Sequence, residues 1–131
     1  MHELWSIHAT QDACDIAMRG RFAGRVATDE VFLAGSLPGD LRAAIVRVDP
    51  DALIRETTEG WEEVVLTSEE ARAVWAALSQ LAPPASPAYV QGDVARVGVR
   101  AFAREDDVVL YVRAPCAHHL RARIDAERGR R

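Results

Sequence analysis

Residues 61–81 read WEEVVLTSEEARAVWAALSQL, and they decide the class of fold. Trp61 to Leu66 is rich in β-formers, and the spacing predicts a strand. Thr67 follows as a helix N-cap, because Glu70 three residues later completes a capping box in which hydroxyl and carboxylate satisfy each other's end of the chain. Ala71, Val74, Trp75, Leu78 and Leu81 then fall at helical spacing on one face. Pro83 and Pro84 lack the amide a helix needs and stop it. A strand running directly into an amphipathic helix implies mixed helix and sheet.

Upstream, residues 52–57 read as the antiparallel neighbour of 61–66 across a turn at Thr58, Glu59 and Gly60. Residues 41–48 alternate and contain several β-branched side chains, so they read as a third strand, closed by the turn-forming Asp49-Pro50-Asp51. Together these predict a three-stranded meander. Residues 4–8 read as a strand. Residues 12–19 are read as a helix and 31–34 as a strand, although a pair of strands over 13–27 fits nearly as well, since Gly20 and Gly24 weaken a helix there.

Downstream, residues 83–87 are too proline-rich for regular structure and are expected to cross the surface. A second hairpin follows, with strands over 94–103 and 108–113 joined by a charged turn at 104–107. Ala95, Val97, Val99 and Ala101 alternate with Arg96, Gly98, Arg100 and Phe102, which predicts one buried face and one wet face. Pro115 opens a last helix with Ala117, Leu120 and Ile124 on a narrow stripe, fraying at Gly129. The expected architecture is α+β: one antiparallel sheet, meander plus hairpin, covered on one face by two helices. At 131 residues the chain is the size of one domain, 1–131, with a frayed tail at about 127–131.

Composition narrows the chemistry. All sixteen basic residues are arginine, and asparagine is also missing, which points to a high-GC bacterial coding sequence. Without an amine there is no Schiff-base lysine, no lysine general base and no P-loop lysine. Cys14 and Cys116 are the only cysteines, and two distant thiols in a reducing compartment are expected to stay free. The N-terminus lacks the basic-then-apolar layout of a secretory signal, so a cytoplasmic protein without membrane contact is expected. Charge is unevenly spread: residues 49–70 hold eight acids against Arg55 alone, and 113–131 hold six arginines against Asp125 and Glu127. Such polarisation suits association through complementary potentials, within the molecule or with a partner.

For catalysis the candidates are Cys116 and His119. Pro115 should set Cys116 in a first helical turn, where the dipole favours a thiolate, and His119 three residues on could serve as base. Burial of Cys116 as a small apolar side chain is the competing expectation, and the preferred one. No metal is expected, since a single local cysteine with adjacent His118 and His119 is an incomplete ligand set, and no cofactor is expected either. The binding candidates are Arg113, Arg121, Arg123 and Trp61: the arginines for an anion, Trp61 as an exposed anchor or pocket lid. Trp75 is expected in the core. Nucleic acid is not the expected partner, because the basic tail lacks interleaved aromatics and is broken by acids. The expected function is a non-catalytic cytoplasmic binding or accessory protein of interaction, immunity or regulatory type. It acts on a protein partner or on a second copy, with a homodimer joined through an edge strand or the exposed hairpin face. The alternative is a small pocket-bearing enzyme or ligand binder using Cys116 and His119.

Overall fold

A computed structural model describes residues 2–81 and 89–130. The segment 83–87 therefore lies outside the described residues. The chain divides into two compact units, 1–58 and 59–131, each with its own antiparallel sheet.

The first unit runs β1 (Leu4–His8), α1 (Gln11–Ala17), β2 (Ala23–Ala27), β3 (Glu30–Ala34), α2 (Gly39–Val48), β4 (Leu53–Glu56). Its sheet order is β2-β3-β1-β4, with β1 in the middle bonded to β3 and β4. This is the split β-α-β arrangement of ferredoxin-like folds, two interleaved halves whose strands alternate in direction. Thr10 caps α1 by accepting from the Ala13 amide. Ala13, Cys14 and Ala17 of α1 and Ile45 of α2 close over Ile7 and Val31.

The meander is overturned at residues 41–48, which form helix α2 rather than a strand. Leu41 and Ile45 stand four apart and face the core, whereas the strand-like Val46 and Val48 point to solvent. Alternation and helical period coincide over so short a run, and burial of Leu41 and Ile45 together decides for the helix. Asp49-Pro50-Asp51 does end the element: Asp49 accepts from the amides of Asp51 and Thr10. The expected hairpin between 52–57 and 61–66 is also absent. The Thr57 amide donates to Leu4 O, and Thr58 Oγ1 accepts from the Leu4 amide, so the chain carries on alongside β1 instead of folding back. Residues Thr58–Gly60 form a 3-10 turn.

The second unit comprises β5 (Trp61–Thr67), α3 (Ser68–Leu78), β6 (Tyr89–Val94), β7 (Val97–Ala103), β8 (Asp107–Arg113) and α4 (Ala117–Arg128). The strand order is β5-β8-β7-β6. The capping box is formed as expected: the Glu70 amide donates to Thr67 Oγ1, and Glu70 Oε1 accepts from the Thr67 amide. The helix stops at Leu78, short of the prolines, and Leu81 is not part of its stripe. Bonds from the sheet capture its end instead: the Ala95 amide donates to Leu78 O, and Ser79 Oγ donates to Asp93 O.

The expected strand 94–103 is broken. Ala95 and Arg96 form a two-residue turn with φ of 53° and 64°, and the strand before it is β6. Gly92 in β6 has φ +153°, a conformation that strains any residue with a Cβ, and a Cβ there would also push the end of the Leu81 side chain aside. The 104–107 turn holds, fastened by a two-bond pair between Arg104 and Asp107. One face of the sheet packs against Val74, Trp75, Leu120 and Ile124. The opposite face is not wet as expected, because Phe102, Val109 and Tyr111 are buried there, and Phe102 meets the rings of Tyr89 and Tyr111 at 4.9 and 6.2 Å. The class is thus α+β, with two antiparallel four-stranded sheets where one was expected, and each carries two helices on a face. Among the described residues no helix is long and apolar enough to cross a membrane.

Candidate functional site

Helix α4 does not begin where Pro115 suggested. Ala114–Cys116 winds as a 3-10 turn, and Cys116 becomes the N-cap of α4 rather than a first-turn residue. The expectation of a buried Cys116 is corrected: its side chain is exposed, and the buried thiol is Cys14, which donates to Ala9 O at 3.6 Å. Both cysteines are free. Burial raises the Cys14 pKa above the ordinary 9.0, against an opposing pull from Arg25.

His119 and Cys116 share no hydrogen bond among the described residues. His119 Nε2 lies instead 3.3 Å from Ala95 O. A carbonyl only accepts, so this bond selects the tautomer with its hydrogen on Nε2. It fastens the first turn of α4 to the tip of the β6–β7 hairpin.

That fastening shapes a groove of about 970 Å³, lined by residues 76–81, by Asp93, Ala95 and Arg96, and by His119 and Arg123. His119 and Arg123 are four apart on α4, hence on one face of the helix. Arg96 follows Ala95 directly. Neither Arg96 nor Arg123 has an ion-pair or hydrogen-bond partner among the described residues. Of the residues singled out from sequence, the structure brings only His119 and Arg123 together here. Arg96, Ser79 and Asp93 were missed. Arg96 was read as the outward residue of a continuous strand, and only the slip in alternation at 95–96 could have marked a turn.

The other candidates lie elsewhere in this unit. Trp61 is 5% exposed and so is not an exposed anchor; the guanidinium carbons of Arg113 and Arg100 stand 4.1 and 4.7 Å from its ring centre. These two cations stack on the indole and give it neighbours that water would otherwise supply. Arg121 is committed to β5: Nη1 is 2.9 Å from Glu62 Oε1, and Nη2 donates to Glu63 O at 2.9 Å. Arg128 pairs with Glu70. The basic helix therefore meets part of the acidic segment within one molecule. Beside it, Tyr111 donates to Glu63 Oε2 at 3.2 Å, and burial first, then the Glu63 charge, pushes its phenol well above the ordinary 10.0. No group of three or more potential metal ligands is found among the described residues.

In class, then, this is an α+β chain with two sheet-and-helix units and a cationic groove on the second. No protein-family model matches it, and no curated protein matches it in sequence. In fold it is similar to a chain of the heterotetrameric sarcosine oxidase from Corynebacterium sp. U-96 in complex with pyrrole 2-carboxylate, at a TM-score of 0.70 and 13% identity, over 97% of this chain and 80% of that one.

Proposed function

We propose that this chain is a non-catalytic accessory subunit that acts by binding a partner protein. The observation that carries the reading is the likeness in fold, over 97% of the chain, to a chain of a heterotetrameric assembly. The distribution of charge supports it. Arg121 and Arg128 are occupied by Glu62 and Glu70, which favours a protein partner over nucleic acid. Exposed acids of the same segment that no arginine among the described residues holds, Asp51, Glu59 and Glu69, remain for an outside surface. Complementary potentials of that kind steer association and weaken with salt. A reducing, cytoplasmic setting is consistent with two free thiols.

The test is to tag the chain at its native level in the source cell, isolate it at low and high salt, and weigh the product by native mass spectrometry. A stoichiometric complex with a second protein at low salt, loosened at high salt, is the expected result. A chain recovered alone at both salts sinks the proposal. Recovery as a homodimer alone replaces it with self-association through a sheet edge.

A further inference from the structure

Beyond partner binding, we infer that the groove between the end of α3, the β6–β7 turn and α4 is a binding site for a small oxyanion, a phosphate- or carboxylate-bearing molecule. Two guanidiniums, Arg96 and Arg123, line it, and neither is held by an acid of the described chain. Elsewhere in this unit the arginines near acids are tied down, Arg104 by Asp107, Arg121 by Glu62 and Arg128 by Glu70. The planar fork of guanidinium fits two oxygens of a phosphate or carboxylate at once, which an ammonium does not.

Their placement rests on a hydrogen bond between two elements. The His119 bond to Ala95 O holds α4 against the hairpin, which puts Arg96, the next residue along, and Arg123, one turn along, on the same groove. Ala95 and Arg96 both take the left-handed conformation that asparagine and glycine ordinarily occupy in such turns. A bulky arginine kept at φ 64° is a local cost, and costs of this kind gather at ligand sites. At about 970 Å³ the groove has room for a molecule larger than the bare anion. Asp93 on the same groove supplies an acceptor for a hydroxyl or amide donor carried by that molecule. His119 acts here as a positioning residue, since its hydrogen bond sets where the two arginines stand.

The experiment is a two-dimensional NMR titration of the full chain, following backbone and arginine Nε–H signals, with inorganic phosphate in one arm and succinate in the other at constant ionic strength. The expected result is saturable shifts confined to Ser79, Gln80, Arg96, His119 and Arg123 in at least one arm. The arm that saturates names the anionic group. Arg123→Ala, an exposed helical change, should keep the parent's circular dichroism and weaken binding about tenfold, as should Arg96→Ala. Arg130→Ala should leave it unchanged. The inference is overturned if neither probe shifts these signals, if shifts spread without saturation over arginines generally, or if Arg123→Ala binds as the parent does. A chain that captures no partner protein can still pass this test, so the two proposals fail separately.

Discussion

Arg121 on α4 holds Glu62 on β5 at 2.9 Å and, with its second nitrogen, the backbone oxygen of the next residue. The carboxylate bond is an exposed ion pair, worth well under about 1 kcal/mol, whereas the backbone bond persists in salt. Arg121→Ala should therefore cost about 1 kcal/mol in urea unfolding. Glu62→Gln should cost only a few tenths, and that smaller part should vanish in 1 M salt, a regime of nearly complete screening. Equal losses for the two variants would show that the backbone bond contributes nothing.

Glu70 gives the acid side of the stability curve. Its carboxylate accepts from the Thr67 amide and then from Arg128, and both hold its pKa below the ordinary 4.5. A depressed folded pKa adds stability that is present above the unfolded value and lost as pH falls below it. Urea midpoints should thus decline as pH drops through about 4.5 and onward, less steeply in Glu70→Gln. Thr67→Ala removes the other half of the cap and should cost about 1 kcal/mol at neutral pH.

Tyr111 governs the alkaline side. Its folded pKa lies above 10.0, so the neutral phenol contributes stability that is complete below that pH and drains away as pH climbs past it. In an ultraviolet titration the Tyr111 signal should appear only as the protein unfolds, and Tyr111→Phe should flatten the alkaline decline. Ionisation of Tyr111 near 10 in a folded chain would contradict the burial argument.

The Ala95-Arg96 turn should be improvable at a cost in function. Ala95→Asn and Arg96→Gly each relieve a positive φ and should raise stability by about 0.5–1 kcal/mol in thermal or urea unfolding. Arg96→Gly should at the same time lose anion binding, whereas Ala95→Asn should keep it.

The two thiols should separate cleanly under alkylation. Cys116 should label in the folded protein and Cys14 only on unfolding, given their exposure. His119→Ala should leave the Cys116 rate unchanged, because His119 Nε2 is bound to Ala95 O. A fall in that rate would revive the reading of the two as a reactive pair.

What was legible in the sequence was what is local. The Thr67–Glu70 box, the Asp49-Pro50-Asp51 stop and the Arg104–Asp107 turn are decided within a few residues, and each stands as read. Residues 41–48 misled because leucine, isoleucine and two valines satisfy both periods over eight positions, and which face is buried depends on Ile7 and Val31 far away in sequence. Partnering was equally invisible: β4 lies near β5 along the chain but pairs with β1. Of the groove, His119 and Arg123 were legible as chemistry, but Arg96 was not, since Ala-Arg carries none of the glycine or asparagine that announces a two-residue turn.

The position of β1 carries a consequence for how the first unit comes into being. Leu4–His8 precedes in sequence every strand it bonds to, yet it is the inner strand, flanked by β3 and β4. On the ribosome it must emerge with both edges bare and wait, first for Glu30–Ala34 and then for Leu53–Glu56, before either side is closed. Deleting those five residues would remove a centre rather than a margin, leaving a β2–β3 ribbon and a stranded β4.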